Sequence, residues 1–132
     1  MALDYSAARA AALAAILPPG EDRWVALYNG DPTDTGVELE LAGYARVAHS
    51  SWLTTVGVGS SARANVGAIT FDAVTEDGAA THWAIFDDDV AGNLLHSNVL
   101  LDGLDEQVAI ALVAGDNLEF ADGELVIQLV GA

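Results

Sequence analysis

Lysine and cysteine are both absent from this chain of 132 residues, and its only strongly basic side chains are four arginines. The lack of cysteine excludes disulfides, thiolate metal sites and cysteine nucleophiles. Four scattered arginines cannot form the basic patch on which nucleic-acid binding depends, so we expect no nucleic-acid partner. No apolar stretch reaches the roughly 20 residues of a membrane span, and we expect no insertion into a membrane.

Carboxylates are abundant instead: twenty Asp and Glu residues give a formal net charge of -16, although 52% of the residues are hydrophobic. This combination predicts a folded core under an acidic surface, because disordered acidic chains are poor in apolar residues. Repulsion across such a surface weakens in salt, since the Debye length falls from roughly 10 Å at 0.1 M to about 3 Å at 1 M. The composition therefore indicates a halophilic source, and a small acidic protein from a GC-rich bacterium is the alternative.

The N-terminal segment, residues 1–20, has a helical pattern. Asp4 is placed to cap a helix from Ala7 to Leu17, in which alanine fills most positions, and Pro18-Pro19-Gly20 ends it. Large apolar residues crowd its last turn, so we expect the helix to dock on the rest of the chain or, as an assembly contact, on a neighbouring subunit. The segment lacks a basic head followed by a continuous apolar run and does not resemble a signal peptide.

Residues 21–132 show short apolar or alternating runs separated by Gly, Asp, Asn and Pro, a pattern typical of β-strands. Such spacing without crossover helices favours antiparallel pairing. We predict a mainly β fold, an antiparallel β-sandwich or jelly-roll-like domain of about eight strands with an N-terminal helix. The predicted strands are Trp24–Tyr28, Tyr44–His49, Leu53–Val58, Val66–Phe71, Thr81–Phe86, Leu94–Leu100, Val108–Val113 and Leu125–Val130.

Histidine, the commonest metal ligand, is not arranged in a metal-binding pattern. The three histidines fall in three different predicted strands without a second ligand at metal-site spacing. They are His49, His82 and His96. His82 shares a strand face with Ala84 and Phe86, which predicts a packed, hydrogen-bonded side chain. We therefore expect neither a metal nor a cofactor.

Acidic segments and serine pairs also lack the spacing of known sites. Asp31–Gly36 and Asp87–Asp89 do not have the alternating carboxylates and central glycine of a calcium loop, so solvated turns are predicted. Neither Ser50-Ser51 nor Ser60-Ser61 stands in a nucleophile elbow, and Gly57-Val58-Gly59 is too short for a dinucleotide-binding loop. Carboxylate pairs for glycoside hydrolysis meet only in the fold. A small hydrolase or metal-binding enzyme is therefore an alternative, and we predict that the chain is not an enzyme.

Aromatic residues occur in nearly every predicted strand, as expected for a shared core. Together with one histidine they are the candidates for the core or for contacts between copies of the chain: Trp24, Tyr28, Tyr44, Phe71, His82, Trp83, Phe86 and Phe120. A sugar-binding platform is the alternative, and it requires two or more of Trp24, Trp52 and Trp83 on one exposed face.

The order of the segments carries a family resemblance. After the helix that ends near prolines come Trp24–Asp34, Gly43-Tyr44-Ala45-Arg46, Asn65–Phe71, Thr81–Asp87, Gly92-Asn93-Leu94-Leu95, Gly115-Asp116 with Phe120, and Glu124–Leu129. This ordered set resembles a widespread family of short virion proteins of tailed phages, often labelled tail fibre or minor tail proteins. The likeness extends over most of the chain. The short acidic segment Val74–Ala80 and the lack of a glycine-rich tip or long fibre repeat depart from a whole long fibre.

The resemblance implies a β-sandwich structural protein in several copies on the exterior of the head or tail of a virus, with no catalytic residues to carry over. The expected partners are copies of itself and other virion proteins, such as the major capsid protein or tail components. With the acidic composition, it implies a tailed virus of a halophilic host, in whose cytoplasm the chain is made. A capsid decoration, turret or fibre base is the first expectation. The alternatives are a tail, baseplate or tail-fibre protein for host attachment, and a carbohydrate-binding module that contacts host surface glycans.

Overall fold

A computed structural model describes residues 6–18, 20–56, 60–100 and 107–130 of the chain. These residues form one helix and twelve strands, and every strand pair of described register is antiparallel. The prediction of a mainly β, antiparallel fold with an N-terminal helix is confirmed, with twelve strands in place of the eight predicted. The elements are α1 Ser6–Ile16, β1 Arg23–Asn29, β2 Val37–Glu38, β3 Val47–His49, β4 Trp52–Val56, β5 Ser60–Asn65, β6 Ile69–Thr70, β7 Gly78–Ala80, β8 His82–Phe86, β9 Leu94–Val99, β10 Ile110–Leu112, β11 Glu119–Phe120 and β12 Val126–Val130.

The chain divides into two compact units, each assembled from segments that are distant in sequence. The first unit comprises Met1–Asp22, His49–Ile69 and Phe120–Ala132, and the second comprises Arg23–Ala48 and Thr70–Glu119. The predicted boundary after residue 20 and the predicted assembly role of residues 1–20 stay predictions.

In the first unit, α1 packs against an antiparallel sheet with the strand order β12-β5-β4. Alanine, the residue of highest helix propensity, fills most of the helix. Leu13 in the helix and Leu17 directly after it lie four residues apart, the N–H of Leu17 donates to the carbonyl oxygen of Leu13 at 2.9 Å, and both side chains are completely buried. The helix therefore docks on the chain itself, while Asp4, its predicted cap, lies outside the described residues. Nowhere in the described part of the chain is a helix long and apolar enough to cross a membrane.

Arg63, on the central strand β5, links this sheet to the end of α1. The residue is 6% exposed. Its Nε donates a hydrogen bond to the carbonyl oxygen of Leu17 at 2.6 Å, and its Nη1 donates to Oγ1 of Thr54. The last carbonyls of a helix lack partners within the helix and carry partial negative charge, so a guanidinium there satisfies an acceptor and offsets the helix dipole. Burial lowers the pKa of Arg63, but an arginine side chain keeps its proton in proteins.

Asn65 ends β5 and holds two loops of the first unit together. The residue is 2% exposed. Its Nδ2 donates to the carbonyl oxygens of Gly67 at 2.7 Å and Ala121 at 3.0 Å. Its Oδ1 accepts a hydrogen bond from the backbone N–H of Leu125 at 3.0 Å. A buried amide whose donors and acceptor are paired avoids the cost of desolvation, so this side chain fixes the turn after β5 against the segment that leads to β12.

The second unit is built on a five-stranded sheet with the order β2-β1-β8-β9, in which β3 also pairs with β1. β7 and β10 form a separate antiparallel pair in the same unit. In the β1–β8 pair, Val25 lies opposite Ile85 and Ala26 lies opposite Ala84, and all four are completely buried. Successive residues of a strand point to opposite faces, so both faces of this pair are covered. This explains the continuous apolar runs of the two strands.

One predicted strand, Tyr44–His49, is shorter in the structure and reduces to β3. A turn closes before it, because the backbone N–H of Tyr44 donates to the carbonyl oxygen of Leu41 at 2.9 Å. Gly43 has a φ of 87° in this turn, and a Cβ there would lie 2.6 Å from the carbonyl oxygen of Ala73. Only glycine fits both the conformation and the space.

Four short or polar strands were not predicted, namely β2, β5, β7 and β11. β5 is the central strand of its sheet although its sequence, Ser-Ser-Ala-Arg-Ala-Asn, has no β-branched or aromatic residue. The predicted Val66–Phe71 reduces to β6, since Gly67 has a φ of 83° and turns the chain. Part of Leu53–Val58, residues 57 and 58, lies outside the described residues. The other predicted strands end within a residue or two of the observed ones.

The contact between α1 and the sheet can be tested with Leu13→Ala. We expect a loss of about 2–5 kcal/mol in the free energy of unfolding, because the substitution leaves a cavity at a completely buried position. Ala12→Ser, at an exposed position of the same helix, is the control and costs about 0.5 kcal/mol through helix propensity alone. Urea unfolding followed by circular dichroism measures both. Equal stability of the two variants would contradict the packing of α1.

Candidate functional site

Arg46 and Glu38 form a bidentate ion pair in the second unit. Nε of Arg46 donates to Oε2 of Glu38 at 2.9 Å, and Nη2 donates to Oε1 at 2.8 Å. The Arg46 side chain is 6% exposed and the Glu38 side chain 25%. Two parallel charge-assisted bonds that are largely shielded from solvent are stronger than an ion pair on an open surface.

Tyr44 binds the same carboxylate and ties it to β1. Its hydroxyl donates to Oε2 of Glu38 at 2.7 Å and accepts a hydrogen bond from the backbone N–H of Leu27 at 3.0 Å. Burial raises the pKa of Tyr44, so the hydroxyl keeps its proton. Burial also acts to raise the pKa of Glu38, but hydrogen bonds from Arg46 and Tyr44 and the charge of Arg46 outweigh it, and the pKa lies below its ordinary value. Hydrogen bonding to Glu38 raises the pKa of Arg46.

The guanidinium of Arg46 lies over Phe86, which is one ring of a stacked aromatic pair. Its guanidinium carbon lies 3.8 Å from the centroid of the Phe86 ring, and the Phe86 and Tyr28 rings stack with centroids 6.1 Å apart. Ala26 and Ala84 lie between these two residues in the β1–β8 register and pack against them. Because the alanine side chains are small, the two rings can stack above them, and the Phe86 ring of this pair faces the cation.

The remaining guanidinium nitrogen of Arg46 holds the loop that follows β8. Nη1 donates to the carbonyl oxygens of Asp88 at 3.0 Å and Ala91 at 2.7 Å. Ala91 has a φ of 55°, a left-handed conformation that is unfavourable for a residue with a Cβ. Between these two anchors lies Val90, which is 73% exposed. Arg46 therefore fixes a loop with an exposed apolar tip.

The two acidic segments, predicted as solvated turns, are organised by their own first carboxylates. Asp87 accepts hydrogen bonds from the backbone N–H of Asn93 at 2.7 Å and from its Nδ2 at 2.9 Å. Asp31 accepts from the backbone N–H of Thr33 at 2.9 Å and from its hydroxyl at 2.7 Å. The backbone hydrogen bond from Asn93 lowers the pKa of Asp87, and that from Thr33 lowers the pKa of Asp31. Each carboxylate thus stabilises the turn in which it lies by accepting hydrogen bonds from it.

A shallow recess of ≈ 260 Å³, open to solvent, lies beside the ion pair. It is lined by Glu38, Leu39, Tyr44, Ala45, Arg46, Asp89, Val90 and Ala91. The charged and hydroxyl groups of Arg46, Glu38 and Tyr44 are already hydrogen bonded to one another and to the backbone. These three residues therefore hold a surface in a fixed shape and do not present an activated nucleophile or a general base.

The structure brings four of the eight predicted core or interface candidates together as two stacked pairs. One is Tyr28 with Phe86, and the other is Tyr44 with Phe71, with ring centroids 6.1 Å apart. Among the eight, Phe71, Trp83, Phe86 and Phe120 are buried, whereas Trp24, Tyr28, Tyr44 and His82 are half-buried.

Each histidine has its own local partner or environment. Nε2 of His49 lies 3.0 Å from the carbonyl oxygen of Val66, and Nδ1 of His82 lies 2.8 Å from the hydroxyl of Thr81. Nε2 of His96 is buried without a hydrogen-bond partner among the described residues, and burial lowers the pKa of this histidine. Within the residues that the structure describes, no group of three or more His, Asp or Glu side chains could hold a metal ion.

The Arg46–Glu38 pair was not among the candidates that the sequence suggested. A usable signal was the scarcity of arginine, since any of four arginines among twenty carboxylates is a candidate for a specific ion pair. The partner could not be identified in the same way, because the turn at Leu41–Tyr44 decides which carboxylate Arg46 meets.

Comparison with known protein families identifies the family of the chain. Residues 7–128 match the family described as Podophage GP4 fiber I protein gp80. The match extends over nearly the whole chain, so the chain belongs to this family, and the resemblance to virion proteins of tailed phages is confirmed. No curated protein matches the chain. Membership of a phage fibre family makes the chain a structural component of a virion.

Glu38→Gln tests the ion pair, with Glu40→Gln as a matched control. Both changes remove one negative charge, but only the first leaves the largely buried Arg46 without a counter-ion. We expect Glu38→Gln to lower the free energy of unfolding by about 1–3 kcal/mol. Glu40 is exposed, so its substitution is neutral or slightly stabilising, because it reduces repulsion. Equal effects in denaturant unfolding would show that the ion pair contributes nothing specific.

The same pair predicts a pH dependence. A carboxyl whose pKa is lower in the folded state than its ordinary value of 4.5 stabilises the fold above that pH. The contribution decreases as the pH falls below 4.5 and is lost below the folded-state pKa of Glu38. The stability difference between the natural chain and Glu38→Gln should therefore shrink as the pH is lowered from neutrality to acid. A difference that is constant with pH would contradict the ionic role.

Proposed function

We propose that this member of the phage fibre family is a non-enzymatic structural protein that assembles with copies of itself on the exterior of a tailed virus of a halophilic host. The observation that carries the proposal is the family match over residues 7–128. The word fiber in the family's description favours a fibre base over a capsid decoration or turret, and the tail or baseplate is the neighbouring position. Its further partners are then other virion proteins, such as tail components or the major capsid protein.

The chemistry of the second unit supports a structural role. The polar groups of the cluster form hydrogen bonds that link β1, β2 and the loop after β8. The cluster consists of Arg46, Glu38 and Tyr44. Such a cluster gives a rigid surface with an exposed apolar tip at Val90. Rigid, pre-formed surfaces favour association because less conformational freedom is lost when a partner binds.

Burial of the tryptophans bears on the alternative of a carbohydrate-binding module. Trp52 is 7% exposed and Trp83 is 5% exposed, and Trp24 is half-buried. A sugar platform needs the faces of two rings open to solvent, so these positions favour the structural role over glycan binding through tryptophan.

The acidic composition supports the halophilic host. A net charge of -16 with no lysine leaves surface repulsion that only dissolved ions can screen. Copies packed close together on a particle repel each other more strongly still. Assembly of this chain is therefore expected to need high salt.

Light scattering of the purified protein tests self-assembly. We expect a larger defined mass at multimolar salt than at roughly 0.1 M, because the Debye length shortens by about threefold over this range. A chain that is monomeric at all salt concentrations would contradict assembly through copies of itself. Antibody labelling of the virus particles in electron micrographs tests the position, and labelling confined to capsid faces would contradict a fibre base.

A further inference from the structure

The sheet of the first unit has two faces of different character. Arg63 and Ile127 lie opposite each other in the β12–β5 register and are both buried, and Arg63 contacts the end of α1. The adjacent row consists of Leu53, Ala64 and Val126, which lie opposite one another across the three strands. Because neighbouring residues of a strand point to opposite sides, this row lies on the face away from α1. We call it the uncharged face.

The uncharged face carries apolar side chains that are exposed. Leu53 is 64% exposed and Val126 is 38% exposed, and Val66, directly after β5, is 46% exposed. Between the two edge strands the central strand contributes only the small, half-buried Ala64 to this row. Three of the six large exposed hydrophobic residues of the described chain are thus at one sheet. Grouped exposure of this kind is a feature of interaction surfaces.

The three strands that form the uncharged face also lack acidic residues. None of the twenty carboxylates lies between residues 41 and 71 or after residue 124, so β4, β5 and β12 contain no Asp or Glu. The one arginine of these strands, Arg63, points to the other face. In a chain of net charge -16, an uncharged surface is where a second equally acidic molecule can approach with the least repulsion.

We propose that the uncharged face is the contact through which two copies of this chain associate, a proposal that rests on the self-assembly proposed above. The occupant is a second copy, because the main obstacle to association of this chain is its own charge and this face carries none. The face measures roughly 17 Å by 10 Å from strand geometry, well below the roughly 800 Å² per partner of a stable interface. It therefore supplies the apolar centre of the contact, and screening by salt allows the acidic surroundings to come together as its rim.

Leu53→Glu tests the contact, with Val37→Glu as the matched control. Both residues lie on strands and are exposed to a similar degree, 64% and 61%, and both substitutions add one negative charge. Sedimentation at multimolar salt should show self-association at least about tenfold weaker for Leu53→Glu, since like charges are brought together at the contact. Val37→Glu should associate like the natural chain. Circular dichroism checks that both variants are folded.

Single cysteines give a second readout that does not depend on the stability of Leu53→Glu. The natural chain has no cysteine, so Leu53→Cys and Val37→Cys each carry one thiol. At the salt concentration of assembly, alkylation should be slower at position 53 than at position 37, and the rates should become similar on dilution to monomer.

The outcomes separate this inference from the proposed function. An oligomer that survives Leu53→Glu, or that leaves the thiol at position 53 as reactive as that at position 37, overturns the uncharged face as the contact and leaves self-assembly standing. A natural chain that is monomeric at every salt concentration overturns both. The inference is supported if Leu53→Glu loses the oligomer while Val37→Glu keeps it, and if the thiol of Leu53→Cys is protected from alkylation.

Discussion

Repulsion among twenty carboxylates is the constraint to which the rest of the structure responds. The chain has no lysine, and it places two of its four arginines in the interior instead of among the surface acids. Arg63 joins the sheet of the first unit to the end of α1, and Arg46 joins β2 to the loop after β8 in the second. A buried guanidinium with paired donors can fix several segments at once, whereas an exposed ion pair contributes little. These two of the four arginines thus stabilise the fold by joining segments that are distant in sequence.

The uneven distribution of acidic residues along the sequence is relevant to the function of a virion protein. Such a protein must associate with its neighbours and remain soluble before it does so. The acidic residues oppose contact over most of the sequence, while the segment from residue 41 to 71 carries no acid at all. Under the proposed self-association, like charge elsewhere on the surface restricts the ways in which copies can meet, so that repulsion adds specificity to the attraction at the uncharged face.

Hydrophobic pattern predicted the strands whose own residues are buried, such as β1 and β8, because their apolar runs are visible in sequence. It did not predict β5, whose place in the sheet is given by its partners β4 and β12 on either side. The aromatic residues were identified singly, but the stacking of Tyr28 on Phe86 depends on the alanine pair Ala26 and Ala84, which has no distinctive sequence signal. The site was missed for a related reason: Arg46 meets Glu38 only after a glycine turn, and it reaches residues 88 and 91 only through sheet pairing.

The first unit draws its helix and its strands from three separate stretches of the chain, and β12 is the last of these elements. During translation, α1 leaves the ribosome early but cannot complete its sheet until residues 126–130 have followed. Leu13 and Leu17, which are completely buried in the folded unit, are therefore synthesised long before the last strand of the sheet on which they pack. Contacts of such long sequence separation form slowly and late. The sheet of the first unit, and with it the uncharged face, is consequently completed only after β12 has been synthesised.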